Sequence, residues 1–218
     1  MLGRKGLTGE QVKPSAWKFR ARNRSGRGSV GRRPAFLWAW FGAWLLVLVG
    51  VPAEEAPPSE PQVKAAFLFN FAKYVDWPRG AFATPDSPIV LGVVGRDEMG
   101  DALAKTISGK TVDGRRFELK RFTAGDNCAG CHILFLSASE KKRLPEILAR
   151  LRGASVLTVG ESESFLQAGG VINFARRNQR VRLEVNAAAA DQAGLKISSK
   201  LLNVADLVIG GAKKQDPP

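Results

Sequence analysis

The chain has 218 residues and a net charge of +13, which by itself would suggest a nucleic-acid partner. The charge is concentrated in residues 1–53, which carry ten of the 33 Lys and Arg residues but one of the 20 Asp and Glu residues. The remainder has 23 basic and 19 acidic residues, a net charge of +4. The main part of the chain therefore gives little support for nucleic-acid binding, and we predict none.

The basic leader continues into an export signal. Arg32 and Arg33 precede an apolar run over residues 35–51, and Val51-Pro52-Ala53 offers suitable residues to signal peptidase. This pattern predicts a signal peptide over residues 1–53, with cleavage near Ala53 and a periplasmic mature protein. The alternative is an uncleaved membrane anchor, although the 17-residue run is shorter than the roughly 20 residues that a spanning helix needs. Residues 54–61 are a Pro- and Glu-rich spacer.

Strands alternate with helices in the rest of the chain. Ser59 and Gln62 fit a capping box for a first helix, which Trp77-Pro78 ends. Strands are predicted at 89–95, 117–121, 132–136 and 155–159, the first of them a continuous apolar run. Helices are predicted from Asp97 to about Ile107, after Ser139 with a restart at Pro145, and over 161–168. We therefore predict one α/β domain over residues 62–210, a largely parallel sheet flanked by helices, and a disordered tail over 211–218.

An antiparallel hairpin is predicted near the C-terminus. Residues 171–174 form its first strand, and 176–179 are a polar turn candidate. In the second strand Val181, Leu183 and Val185 alternate with charged residues. Asn186 can cap a short Ala-rich helix that Gly194 ends, and apolar residues return at helical spacing over 195–205.

The hairpin carries the candidate binding residues. Arg176, Arg177, Arg180 and Arg182 bring four guanidinium groups to it, and Arg180 and Arg182 point the same way because they are two residues apart on a strand. Paired Arg side chains suit a phosphate or a carboxylate. We add Asn173, on the first strand, to the candidate ligand- or partner-binding set. The alternative is a solvated sheet face without a ligand.

The segment 128–132 (CAGCH) has three interpretations. It fits attachment of a c-type haem through Cys128 and Cys131 with His132 on the iron, a CxxC disulfide, or two free thiols. A zinc site would lack a ligand. Because His132 is the sole histidine and no GxSxG pattern occurs, we also predict no catalytic residue. No metal is expected.

Several stretches, taken in order, resemble the YfiR family of exported proteins. They are FLFNFAKYVDWP at 67–78, IVLGVVGRDEMG at 89–100, CHILFLS at 131–137 and the C-terminal segment from VLTVG at 156–160 to LLNVA at 201–205. Each stretch alone is weak evidence for the family, whereas the four stretches in this order are specific to it. The resemblance spans about residues 63–209.

The resemblance implies a small periplasmic α/β protein without enzymatic activity or a cofactor. The best-known member of the family represses an inner-membrane diguanylate cyclase by binding its periplasmic domain, and an outer-membrane lipoprotein partner releases it, so the resemblance implies the same role here. The family also implies redox-sensitive cysteines, dimers, and a nucleotide-like ligand at basic residues near the C-terminal hairpin. Cys131 matches the family's cysteine before the central strand, which disfavours haem.

Three hypotheses follow. The first is a regulator that contacts a diguanylate cyclase or sensor kinase through exposed apolar residues of the first helix and through the Arg-bearing hairpin. The second is a binding module for a nucleotide-like or anionic ligand at Arg180 and Arg182. The third is a c-type haem protein that uses CAGCH.

Overall fold

The first helix begins where its capping box predicts. A computed structural model describes residues 57–96 and 98–210, and in it α1 (Glu60–Tyr74) follows Ser59 as the N-cap. The backbone N–H of Ser59 donates to Oε1 of Gln62 at 2.7 Å, which satisfies a donor that the helix start would otherwise leave free. The spacer therefore ends before Glu60, because residues 60 and 61 are already helical.

Residues 57–96 and 98–210 contain ten strands, arranged in the predicted α/β pattern. Eight form one sheet in the order β10-β8-β7-β6-β5-β2-β4-β3, in which β7–β8 and β3–β4 are antiparallel and the other neighbours are parallel. The other two, β1 and β9, pair antiparallel with each other. The strands are β1 (Val75–Asp76), β2 (Ile89–Val94), β3 (Thr111–Val112), β4 (Arg115–Phe122), β5 (Ile133–Leu136), β6 (Leu157–Gly160), β7 (Ile172–Arg177), β8 (Arg180–Asn186), β9 (Lys196–Ile197) and β10 (Leu207–Ile209).

Helices cover both faces of the sheet, because the central strands are apolar on both sides. On one face α1 packs with a core that includes Leu91, Val93, Ile133 and Phe135. On the other face α3 packs with Val94, Leu134 and Leu136. Besides α1, the helices are α2 (Gly100–Ile107), α3 (Leu144–Arg150), α4 (Ala187–Gln192) and α5 (Ser199–Asn203), with 3-10 helices at Arg79–Ala81 and Ala138–Arg143. The predicted fold class, an α/β domain with a mostly parallel sheet and a late antiparallel hairpin, is confirmed.

Two local predictions are wrong. Residues 161–168 do not form a helix, because consecutive turns occupy residues 163–169. Residues 195–205 are not one helical segment, since they contain β9 and α5, and the following residues form β10 at the edge of the sheet. Both β9 and β10 pair with strands distant in sequence, which apolar spacing alone does not show.

Several predictions concern residues outside the described part of the chain. They are the signal peptide over 1–53, the tail over 211–218, and Asp97 as a helix cap; α2 itself follows Met99. None of the helices within residues 57–96 and 98–210 is long and apolar enough to cross a membrane.

Candidate functional site

The hairpin turn is shorter than the sequence predicts. β7 and β8 pair from Ile172 opposite Val185 to Arg177 opposite Arg180. Asn178 and Gln179 alone form the turn, and both have positive φ, at 50° and 58°. Such two-residue turns match the twist of paired strands. Arg176 and Arg177 therefore lie on β7, and the predicted turn over 176–179 is wrong at its start.

The four arginines occupy both faces of the hairpin. Cross-strand partners share a face, so Arg177 lies with Arg180, and Arg182, opposite Ala175, lies on the same face. Arg176 is one residue out of phase and lies on the face of α1, where its Nη1 is 3.6 Å from Oε2 of Glu60. The structure thus brings three of the predicted arginines together and separates the fourth.

Carboxylates already meet most of these arginines. Arg177 lies 3.0 Å from Glu184, and Arg182 lies 3.5 Å from Asp206. Arg180 has no ion pair with any residue in the described ranges. The Arg182 and Asp206 side chains are 41% and 32% exposed, and a solvated pair of this kind contributes about 0–1 kcal/mol. An anion at Arg180 and Arg182 stays a prediction, and at Arg182 it would compete with this weak pair.

Asn173 is the buried member of the predicted set. It is 2% exposed, and its Nδ2 donates to Oε2 of Glu184 at 3.0 Å. This bond fixes the amide, because a flipped amide would place its oxygen against the carboxylate. Oδ1 of Asn173 accepts no hydrogen bond from the described residues. A buried acceptor without a donor is costly, so this atom calls for a hydrogen-bond donor.

Asn173 lines a cleft at the carboxyl ends of the parallel strands. The cleft has a volume of about 660 Å³, and its lining includes the first residue of α1 and the β10 residues Leu207 and Ile209. The direction in which the chain builds the sheet reverses between β2 and β5. After β2 the chain adds β4 on one side of β2, and it then returns to add β5 on the other side. Ligands of open α/β sheets bind beyond the carboxyl ends of strands at such a reversal.

A charged network that the sequence interpretation missed spans this cleft. Nζ of Lys64 lies 2.7 Å from Oε1 of Glu60 and 2.8 Å from Oε2 of Glu161. Oε1 of Glu161 accepts the backbone N–H of Ala138 at 2.9 Å. The network ties α1 to the loops that follow β5 and β6. The Glu60–Lys64 spacing of four residues was the only sequence signal for it.

The network also sets the protonation of its members. Burial alone would lower the pKa of Lys64, but the hydrogen bonds and charges of Glu161 and Glu60 outweigh it and raise that pKa. The hydrogen bond from Lys64 lowers the pKa of Glu60, against the effect of burial, and the charges of Lys64 and Arg176 add to the lowering. Lys64 and Glu60 therefore stay charged at neutral pH.

Phe165 fixes the loop over 161–169, which forms one wall of the cleft. Its ring is fully buried and lies between Gly160 and Gly170. A Cβ built on Gly160 would be 2.2 Å from the ring, and one built on Gly170 would be 2.1 Å from it. The ring fits because both neighbours lack a side chain.

The two cysteines are free thiols, so the predicted Cys128–Cys131 disulfide is not formed in this structure. Both are buried, and a Cβ on Gly92 would be 2.8 Å from Sγ of Cys131. Burial raises the pKa of the Cys131 thiol to about 12 and also raises the pKa of Cys128. The thiolate, which is the reactive form, is therefore suppressed at both positions.

His132 does not fit a haem ligand. Its Nδ1 accepts the backbone N–H of Val90 at 3.1 Å, and its Nε2 lies 3.1 Å from the carbonyl oxygen of Ala81. The neutral imidazole, which accepts at Nδ1 and donates at Nε2, satisfies both contacts. The ring is 7% exposed and stacks on Phe82 with centroids 4.2 Å apart. Both nitrogens are therefore engaged in holding the start of β2 and the preceding loop.

Exposed apolar side chains lie at the end of the domain and not on the first helix. Among the described residues, the exposed large hydrophobic side chains are Val204, Leu207 and Val208, at 61%, 42% and 38%. In α1 the large apolar residues Leu68, Phe69 and Phe71 are buried in the core. The predicted contact surface on the first helix therefore lacks large exposed apolar residues.

A family model described as YfiR/HmsC-like matches residues 61–206, two thirds of the chain and nearly all of the described domain. The chain belongs to the YfiR/HmsC-like family. No curated protein matches the chain.

Two solved structures are similar to the chain at low sequence identity. A conserved domain protein from Vibrio cholerae O1 biovar El Tor has a TM-score of 0.51 and 12% identity, over 70% of this chain and 61% of that one. The ABC domain in complex with L-Trp from Streptococcus pneumonia has a TM-score of 0.47 and 10% identity, over 66% of this chain and 60% of that one. The chain thus spans about three fifths of each. The first likeness concerns the fold alone.

Proposed function

We propose that this protein is an exported, non-enzymatic regulator that binds the periplasmic domain of an inner-membrane diguanylate cyclase and holds the enzyme inactive. Membership of the YfiR/HmsC-like family carries the proposal, because resemblance to YfiR implies a repressor of such a cyclase. Repression requires only that the protein bind the inactive state of its partner more tightly than the active state. A sensor kinase is the alternative partner, and an outer-membrane lipoprotein would release the complex.

The contact surface that we assign to the partner is β10 with the adjoining face of the hairpin. Leu207 and Val208 are exposed on β10, the outer strand of the sheet, and Val204 precedes them. Arg182 lies beside this strand, 3.5 Å from Asp206. Apolar side chains next to Arg are typical of interface centres, and an outer strand offers unpaired backbone groups.

The experiment combines a pull-down with a measurement of cyclic-di-GMP. Deletion of the gene should raise cyclic-di-GMP, and the purified protein should retain the periplasmic domain of a membrane cyclase. The double variant Leu207→Glu/Val208→Glu should lose that retention. Ala66→Glu, an exposed position on α1, is the matched control and should keep it. Unchanged cyclic-di-GMP on deletion, together with no retained membrane enzyme, contradicts the proposal.

Export is a separate part of the proposal. It rests on the basic, apolar and small-residue sequence of residues 1–53. N-terminal sequencing of the periplasmic fraction should find a chain that starts just after Ala53. A chain that keeps its leader and fractionates with the inner membrane would instead be anchored, and one confined to the cytoplasm would exclude a periplasmic partner.

A further inference from the structure

Two residues that line the cleft at the carboxyl ends of the strands each have a buried polar side-chain atom without a hydrogen-bond partner in the described part of the chain. Besides Oδ1 of Asn173, Oγ of Ser162 makes no hydrogen bond to the described residues, and Ser162 is 8% exposed. Both residues line the cleft. An amide oxygen accepts only, and a hydroxyl accepts as well as donates. A group with several N–H donors would satisfy both atoms.

The charges of the cleft favour a cation over an anion. Five carboxylates line it, those of Glu60, Glu98, Glu161, Glu163 and Glu184. Its three cations, Lys64, Arg176 and Arg177, each lie within 3.6 Å of one of these carboxylates. Glu98 and Glu163 form no ion pair with the described residues. An anion would have to displace carboxylates that are already paired, whereas a cation would meet two that are not.

We infer that this cleft is a binding site for a small organic amine, whose ammonium group donates to Oδ1 of Asn173 and Oγ of Ser162 and faces the carboxylate of Glu163. The volume of about 660 Å³ lies within the range of small-molecule sites. The network of Lys64 and Glu161 holds two walls of the cleft in place, so the site is formed before the ligand arrives. This inference rests on the cleft alone and is independent of the regulatory function.

Three four-carbon probes that differ in their end groups test which sign of ligand charge the cleft prefers. They are 1,4-diaminobutane, 1,4-butanediol and succinate, titrated into the purified protein by calorimetry at low salt. The diamine should bind at least about tenfold more tightly than the diol, which corresponds to a charge-assisted hydrogen bond. Succinate should give no binding. Added salt should weaken binding of the diamine, because the attraction between the diamine and the carboxylates is partly electrostatic.

Variants locate the binding. Ser162→Ala and Glu163→Gln should each weaken the diamine by about threefold to tenfold, since each removes one polar contact. Asn173→Leu should weaken diamine binding further, and circular dichroism establishes whether that variant folds. If it does not fold, Ser162→Ala and Glu163→Gln still decide the test. Glu146→Gln, on the solvent side of α3 with a 64% exposed side chain, is the matched control and should bind as the parent does.

Three results overturn the inference. The first is succinate binding as tightly as the diamine, and the second is no diamine binding at all. The third is diamine binding that is unchanged in both Ser162→Ala and Glu163→Gln, which would place the amine elsewhere on the protein. None of these results bears on whether a membrane enzyme is retained in the pull-down.

Discussion

Adding a single methyl group at Gly160 should destabilise the domain, because it meets the ring of Phe165. The new Cβ would lie 2.2 Å from the ring, against 3.4–4 Å for an ordinary contact, so the ring would have to move by more than an ångström. A Cβ built on Gly170 would likewise lie 2.1 Å from the ring, so the ring is closely confined by the backbone of both glycines. We therefore expect the upper end of the usual cost of overpacking, about 3 kcal/mol.

Urea and thermal unfolding measure this cost. For a domain of this size, about 3 kcal/mol corresponds to a fall of roughly 6–12 °C in Tm. Gly80→Ala is the matched control, because nothing lies within 4 Å of the added methyl group. It should change the free energy of unfolding by no more than about 0.5 kcal/mol.

A double-mutant cycle identifies the ring as the cause. Phe165→Ala alone should cost about 3–5 kcal/mol, as expected for a fully buried aromatic side chain. In that background Gly160→Ala should be nearly neutral, because the methyl group no longer meets a ring, and the coupling should be about 2–3 kcal/mol. Two results would refute the packing described for this loop. One is a double variant whose loss of stability equals the sum of the two single losses, and the other is a Gly160→Ala variant as stable as its parent.

Three further predictions follow from buried polar groups. Burial lowers the pKa of His132, with a smaller contribution from Arg115, so the unfolded chain takes up the proton first and the free energy of unfolding should fall as the pH drops below about 6.5. His132→Asn should abolish that slope between pH 7 and 5, and a slope that persists would assign it to other groups. Lys64→Met should cost about 3–5 kcal/mol in urea unfolding because it leaves the carboxylate of Glu161 buried and unpaired, whereas a neutral result would mean that water replaces the pair. Cys131 should react with iodoacetamide at pH 8 at least about a hundredfold more slowly in the folded than in the unfolded protein, since a raised pKa suppresses its thiolate; equal rates would show that the thiol is accessible.

The sequence predicts the elements whose pattern is local. The continuous apolar run of β2 and the alternation of β8 identify both strands, since burial on two faces and on one face leave different patterns. The capping box of Ser59 and Gln62 likewise marks the start of α1. These features depend on neighbours a few residues away, and for them the one-dimensional pattern is sufficient.

The structural features that the sequence does not predict depend on contacts between residues that are far apart in the chain. β10 is three residues long and becomes a strand because it pairs in parallel with β8. The loop over 161–169 contains helix-compatible residues, yet Phe165 inserts between two glycines and holds it as turns. The charged residues of the cleft come from α1, from the loops after the strands and from the hairpin, so no local sequence motif predicts that they lie together. Asn173 was among the predicted binding residues, but its burial and unpaired oxygen emerge only from the fold.

The described part of the chain, residues 57–96 and 98–210, starts and finishes beside the same cleft, because Glu60, Leu207 and Ile209 all line it. An affinity tag or fluorescent reporter fused close to either end would therefore crowd both the cleft and β10. The tip of the β3–β4 hairpin, at Asp113-Gly114, lies at the opposite edge of the sheet, where nothing lies within 4 Å of a Cβ built on Gly114. A label inserted there, or a circular permutant opened there with its old ends joined by a linker, would keep the cleft accessible.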